Sequence, residues 1–170
     1  MILFEFNDVF AQFSATVKAK FGKLPSEMTK TEYDNAMTSV LRTDFYKTMP
    51  QEQKGISLLQ FAKTYRDKQA AFLLINEVKS PSWVNSEKIN YIDSFCTALG
   101  IPILDFSICK TAEELKGHAY RGPLITRNND HRIIWDSAGK YYSVYLEETD
   151  DAMTMYNLEQ SFKRFAMSQQ

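Results

Sequence analysis

Polar and charged side chains that could do chemistry stand after apolar runs of the sequence or near a predicted helix start. A carboxylate and a cation placed together can bind an anionic group, and a carboxylate can also exchange a proton. If the apolar runs are parallel strands, ligands bind at their carboxyl ends, where these side chains would meet. The candidate ligand-binding residues are Glu5, Asn7, Asn76, Lys88, Arg127 and Asn128.

Short apolar runs alternate with amphipathic patterns along the chain. Repeated strand–helix units predict an α/β fold, a Rossmann-like three-layer arrangement in which helices cover both faces of a parallel sheet. The predicted strands are residues 2–6, 70–75, 103–108, 122–125 and 141–146, and the predicted helices are 9–21, one starting at the Thr29 capping box, 56–65, 86–99, 111–117, 130–138 and one from about residue 150.

The segment 23–67 differs from the rest because it is polar, rich in helix signals and poor in strand signals. It is therefore predicted to be a small helical cap inserted into a core made of residues 1–22 and 68–170. The C-terminal helix carries an apolar stripe, which predicts packing on the parent domain; an interaction or homodimer helix is the alternative. The stripe consists of Met155, Leu158, Phe162 and Phe165.

Composition narrows the class of protein. The chain is 44% hydrophobic and 24% charged, with a net charge of −1, so nothing global favours nucleic acid or an anionic membrane as partner. No apolar stretch approaches the roughly 20 residues that span a bilayer, and the N-terminus does not resemble a signal peptide. A cytoplasmic protein is expected. Cys96 and Cys109 lack the spacing of a zinc site and are expected to be buried thiols.

Segments of the chain, taken in order, resemble the four motifs of the haloacid dehalogenase (HAD) superfamily and the stretch that follows the fourth motif. Residues 2–13 resemble its opening strand and Asp-x-Asp-Gly motif, and residues 73–76 resemble a strand that ends in Thr or Ser. Lys88 matches the lysine of the third motif, residues 124–128 match the acidic fourth motif, and residues 135–139 match the segment after it. The 5'(3')-deoxyribonucleotidases, which carry a small helical cap, are the most similar branch. The resemblance covers residues 2–146.

The departures from the family pattern concern its catalytic residues. In the family, one aspartate attacks phosphorus, a second transfers the proton, and further aspartates help to hold magnesium. Glu5 and Asn7 stand at the first two positions, and Thr126 and Arg127 replace the magnesium ligands. An amide cannot transfer a proton near neutral pH, and a guanidinium repels the ion, so magnesium is not expected. Asp8 replaces the motif glycine, and its side chain is expected to point elsewhere.

The charged residues that remain leave a binding role open. Lys88 is retained, although an ordinary solvated helix lysine is the alternative. Arg127 is expected to form a partly buried ion pair with Glu5, or else to contact a bound anion. His118 and His131 flank the fourth motif and are expected to be surface or locally bonded histidines.

The resemblance and its departures together imply a catalytically inactive HAD-like pseudoenzyme that acts as a binding or regulatory protein. A protein partner is expected, and such erosion suits a recruited copy of a nucleotide-metabolism enzyme, as in phages. Two alternatives stay open. One is a residual or altered phosphohydrolase that acts on nucleoside monophosphates through Glu5 and Lys88; the other is a metal-independent nucleotide or phosphate sensor.

Overall fold

A computed structural model describes residues 1–64, 70–75, 82–146 and 151–168. The described strands and helices alternate along most of the chain. The strands are β1 (Ile2–Glu5), β2 (Ala70–Ile75), β3 (Ile103–Cys109), β4 (Leu124–Thr126) and β5 (Val144–Tyr145). The helices are α1 (Phe13–Phe21), α2 (Lys30–Ser39), α3 (Gln53–Thr64), α4 (Ser82–Leu99), α5 (Ala112–Gly117), α6 (Asn129–Ser137) and α7 (Asp151–Ser168).

The strands form one sheet in the order β3-β2-β1-β4-β5, and every pairing in it is parallel. The chain builds the sheet outward from β1 to β3 and then returns to place β4 on the other side of β1. Strand order therefore reverses between β1 and β4. In parallel sheets a crevice opens at such a point, outside the carboxyl ends of the strands. This position predicts where a ligand binds.

The central strand β1 is buried on both faces, as an apolar strand inside a parallel sheet should be. Ile2 and Phe4 belong to one hydrophobic cluster, which also includes Leu59 of α3 and Leu158 of α7. Leu3 belongs to a second cluster with Leu124 and Trp135, among others. Alternate side chains of a strand point to opposite faces, so the two clusters lie on opposite sides of β1. The mixed α/β architecture with a parallel sheet is confirmed.

Several local signals in the sequence are confirmed. The Thr29 hydroxyl accepts from the backbone N–H of Glu32, whose carboxylate accepts from the Thr29 N–H, which makes the predicted capping box. Gly22 ends α1 with a φ of 80°, a left-handed conformation that favours glycine. The sequence from Thr111 to Glu114 also predicts a capping box, at the start of α5, and only half of it forms. Thr111 caps the N–H of Glu114, but the Glu114 carboxylate accepts from Lys110.

The wrong predictions of secondary structure concern where the elements begin and end. The helix predicted from Val9 begins at Phe13 instead, because residues 6–11 form a tight turn in which the N–H groups of Phe10 and Ala11 both donate to the Phe6 carbonyl. The helix predicted from Ser86 begins at Ser82. The last two strands, β4 and β5, are shorter than predicted, and β4 ends one residue later than predicted.

The C-terminal helix packs on its own domain, as predicted. Leu158 is buried in the main cluster, and the Ser161 hydroxyl donates to the Tyr142 carbonyl at 2.8 Å. The rings of Phe165 and Tyr141 stack with their centroids 4.2 Å apart. Cys96 and Cys109 are buried free thiols, also as predicted. Among the described helices, none combines the length and the apolar character needed to cross a membrane.

The predicted boundaries of the cap stay a prediction. Within residues 23–67, α2 and α3 differ in how they pack. Ala36 is the buried residue of α2, whereas α3 buries Ile56, Leu58 and Leu59 in the cluster that covers β1. A Cβ atom on Gly55 would lie 1.6 Å from the Val9 carbonyl oxygen, so only glycine lets the start of α3 approach this turn.

Candidate functional site

A cleft of about 930 Å³ opens at the carboxyl ends of β1 and β4, at the point where strand order reverses. One wall comes from α2 and the turn before it, and the other parts come from the β1–α1 turn, α4 and the start of α6. Its lining includes charged, amide and aromatic side chains. The lining residues include Glu5, Asn7, Asp8, Asp34, Thr38, Tyr46, Lys88, Arg127, Asn128, Asp130 and His131.

Three of the lining side chains are buried and can carry a charge near neutral pH. They are Glu5, Lys88 and His131, which we call the cleft floor. Glu5 is 5% exposed and His131 is 8% exposed. Their closest atoms, Glu5 Oε1 and His131 Nδ1, lie 3.0 Å apart. A carboxylate can only accept a hydrogen bond, so Nδ1 carries the proton and donates it.

The Glu5–His131 contact corrects two expectations. Glu5 pairs with His131 instead of Arg127, and His131 is buried, with its Nδ1 contacting a residue 126 positions away. His118 does behave as expected, with its Nδ1 lying 3.1 Å from the guanidinium of Arg121 three residues on. Burial and the positive charge of Arg121 lower the pKa of His118.

His131 is aimed at Glu5 because the loop after β4 is tightly built. The Thr126 hydroxyl accepts from the Asn128 N–H at 2.9 Å. The Asn128 side chain in turn accepts from the N–H groups of Asp130 and His131 and so caps α6. His131 therefore lies in the first turn of a helix that starts beside the end of β1. The capping Asn128 three residues before His131 was the sequence signal for this position.

Arg127 faces away from Glu5. Its Nε donates to the Leu146 carbonyl at 3.1 Å, and one terminal nitrogen lies 3.2 Å from the Glu52 carboxylate. The Glu52 N–H donates to the Phe10 carbonyl, so this acid is fixed against the β1–α1 turn. Arg127 thus links the end of β4 to the end of β5 and the start of α3. Sequence reasoning missed Glu52 as its partner, since the two are 75 positions apart.

Asp8 occupies a left-handed backbone conformation with a φ of 61°. Such a conformation favours glycine, which agrees with the motif glycine that Asp8 replaces. Its carboxylate accepts from both the N–H and the hydroxyl of Ser14 in the first turn of α1. Gln12 precedes α1 and makes no side-chain cap, so Asp8 supplies it. As expected, its side chain is not directed at Glu5, and it stabilises the start of α1.

Lys88 is 4% exposed, which is far from the solvated helix lysine that was the alternative. Its ammonium lies 5.4 Å from the ring centre of Phe6 and 5.8 Å from those of Phe13 and Tyr46. These distances are in the range of cation–π attraction. Burial raises the pKa of the Tyr46 hydroxyl, so the ring beside this cation stays neutral.

The structure brings five of the six predicted ligand-binding residues to the cleft: Glu5, Asn7, Lys88, Arg127 and Asn128. Asn76 lies outside the described residues. The carboxamide oxygen of Asn7 is buried and accepts no hydrogen bond within the described part of the chain. What the five residues bind stays a prediction.

The magnesium that the family resemblance implies does not fit these side chains. At the fourth-motif positions, the Thr126 hydroxyl already accepts a backbone hydrogen bond, and Arg127 brings a positive charge to the cleft lining. The Glu5 carboxylate is held by His131. Magnesium needs several oxygen ligands in an octahedron, mostly carboxylates and waters. Across the described ranges, no group of three or more His, Cys, Asp or Glu could hold a metal ion.

Comparison with known proteins adds no family. No protein-family model matches the chain, and no curated protein sequence matches it either. The functional conclusion therefore depends on the cleft and its residues.

Proposed function

We propose that the chain is a HAD-like pseudoenzyme, with a Rossmann-like three-layer core and a helical cap, whose cleft binds a partner without transferring phosphate. The parallel sheet in the order β3-β2-β1-β4-β5 supports the fold. Residues of the first, third and fourth motifs line one cleft at the reversal of strand order, which supports the family resemblance.

One observation carries the proposed loss of chemistry. The cleft is open, yet three of the side chains at the catalytic positions are occupied with structural contacts. Glu5 is bonded to His131, Thr126 holds the loop before α6, and Arg127 ties β4 to Leu146 and Glu52. In-line attack on phosphorus tolerates little misplacement, and a nucleophile already held in a buried hydrogen bond must break it first. Binding of a partner in the cleft does not require any of these contacts to break.

A macromolecular partner suits the shape of the site. The wall formed by α2 is mostly exposed, with Ala36 as its buried residue. Tyr33, Asp34 and Thr38 present this wall to the cleft. A partner that covers α2 could insert one side chain into the cleft. The exposed surface of α2 would then supply contact area, and the cleft would supply specificity.

Two threonines of α2 allow a matched test. Both are exposed, but Thr38 lines the cleft and Thr31 does not line it. We expect Thr38→Trp to abolish capture of the partner from an extract of the native host, while Thr31→Trp captures it as the wild type does. Equal capture by both variants would place the partner elsewhere on the molecule and contradict binding through this cleft.

A second candidate, an altered phosphohydrolase, is favoured by the Glu5–His131 pair. Histidine can transfer protons near neutral pH, which Asn7 cannot do. Under this candidate, nucleoside monophosphates would be hydrolysed, and His131→Asn would abolish turnover while His118→Asn would not. We expect no turnover in the wild type, so any hydrolysis that depends on His131 decides for the second candidate.

A further inference from the structure

We propose that His131 acts as a proton switch, so that the cleft accepts an oxyanion only when its imidazole is protonated. This inference rests on the proposed binding function of the cleft and names the chemistry that the cleft would recognise. It depends on the 3.0 Å contact between two buried side chains that line the cleft.

The charge of the cleft floor changes with one proton. With a neutral imidazole, Glu5 contributes a full negative charge, which Lys88 balances, and the floor sums to zero. Protonated His131 forms an ion pair with Glu5, and the formal charge of the floor rises to +1. Because both partners of the pair are buried, water screens these charges weakly.

The other charged groups near the pair do not compensate for this change. Asp8 is bonded to Ser14, and Arg127 is paired with Glu52, so both are engaged in contacts of their own. Burial raises the pKa of the Cys109 thiol to about 11, and the charge of Glu5 adds to the shift. That thiol therefore stays neutral while an imidazole titrates. The remaining acids that line the cleft are Asp34 on α2 and Asp130 on α6.

Anion binding and proton binding must then support each other. A carboxylate beside the site repels an incoming oxyanion, and protonation of His131 cancels that repulsion. By thermodynamic reciprocity, a bound oxyanion also stabilises the protonated imidazole. The cleft would thus take up one proton with each oxyanion, and its affinity would fall as the pH rises through the imidazole range.

The chain has only two histidines, which makes the switch directly measurable. We would follow both imidazoles by NMR while titrating sulfate at about pH 5.5 and about pH 8, a range over which imidazoles change charge. Sulfate keeps its own charge over this range, so any change in affinity comes from the protein. His118→Asn is the matched control, and acetate replaces sulfate in a parallel titration to distinguish a tetrahedral from a planar oxyanion.

We expect sulfate affinity to be at least about tenfold higher at the lower pH, as for a ligand that needs a protonated imidazole. The His131 signals should shift on binding, and His118→Asn should behave as the wild type. His131→Asn should lose the pH dependence, and Glu5→Gln should bind sulfate more tightly than the wild type at the higher pH because the repelling charge is gone. In each variant, signals of a remaining histidine report whether the fold is intact.

Three results would overturn the switch: equal sulfate affinity at both pH values in the wild type, an unchanged pH dependence in His131→Asn, or no binding of either anion. Stronger binding of acetate would assign the cleft to a carboxylate group instead of a phosphate-like one. The proposed function fails separately, through magnesium-dependent hydrolysis, which would leave the sulfate titrations as they are.

Discussion

The ends of β1 and β4 lie next to each other in the sheet, yet their side chains are used differently. At the β1 end, Glu5 keeps a carboxylate at the cleft floor while Asp8 caps α1. At the β4 end, Thr126 and Asn128 are committed to building the start of α6, and His131 alone reaches Glu5. The β1 end thus keeps a charged side chain at the cleft floor, whereas Thr126 and Asn128 at the β4 end accept hydrogen bonds from the backbone at the start of α6.

Under the pseudoenzyme proposal, the β4 end is where phosphatase chemistry was lost. A hydroxyl and an amide at the β4 end satisfy backbone N–H groups that would otherwise lack partners at the start of a helix. Such groups hold the loop in place without a metal ion. The β1 end, by contrast, keeps its acid because His131 compensates for the cost of burying it.

The largest expected change in the free energy of unfolding concerns the packing of α6, the helix that follows β4. Trp135 is fully buried in the second cluster, whereas Ile133 on the same helix is 69% exposed. Trp135→Ala should lower the free energy of unfolding by about 3–5 kcal/mol, because it leaves a large cavity. Ile133→Ala should change it by less than about 0.5 kcal/mol. Urea denaturation of both variants measures the difference, and similar losses would mean that α6 is not anchored through Trp135.

A smaller loss is expected when the cap of α6 is removed. Asn128→Ala leaves the N–H groups of Asp130 and His131 without their side-chain acceptor. Removal of an N-cap typically costs about 1 kcal/mol, within a range of about 0.5–2 kcal/mol. Asn128→Ser, which can still cap, should recover most of that stability in the same denaturation experiment. A variant with alanine as stable as the wild type would show that the loop does not depend on this cap.

The cap at the β1 end should respond differently, because Asp8 adopts a positive φ. Asp8→Ala and Asp8→Gly both remove the hydrogen bonds to Ser14, but only glycine relieves the backbone strain. Glycine should therefore be more stable than alanine by about 1 kcal/mol. Thermal unfolding of the pair measures this difference. If the alanine variant were the more stable of the two, the left-handed conformation at Asp8 would be wrong.

The two buried cysteines should have the smallest effect on stability near neutral pH. Burial raises the pKa of Cys96 from 9.0 to about 12 and that of Cys109 from 9.0 to about 11. A raised pKa in the folded state contributes stability that is fully present below the unfolded value and is lost as the pH rises toward the folded value. Stability to urea should therefore start to fall above about pH 9. Replacing both thiols by alanine should weaken this fall, and an identical pH profile would contradict it.

The sequence predicted the fold better than the contacts within the site. Apolar runs such as Ala70–Ile75 and caps such as Thr29 are local, and their physical meaning does not depend on distant residues. The partner of Arg127 could not be predicted in this way. It is set by how the loop after Thr126 turns and by where Glu52 lies, and both depend on the completed sheet.

The same reasoning explains the misplaced start of α1 and the neglect of His131. Val9 and Phe10 continue an apolar helical pattern, but both are buried in a turn that Asp8 and the Phe6 carbonyl organise. The Asn128 cap marks His131 as a residue in the first turn of a helix, but nothing nearby in the sequence marks its contact with Glu5. Its role emerges only when β4 is placed beside β1, which brings the first turn of α6 to Glu5.

The most direct test of the proposed loss of chemistry is turnover of phosphate monoesters. Purified wild type and Glu5→Gln would be assayed with a panel of nucleoside monophosphates and an aryl phosphate, with and without magnesium. We predict that the wild type releases no more phosphate than Glu5→Gln under either condition. Magnesium-dependent turnover in the wild type that Glu5→Gln abolishes would contradict the pseudoenzyme proposal.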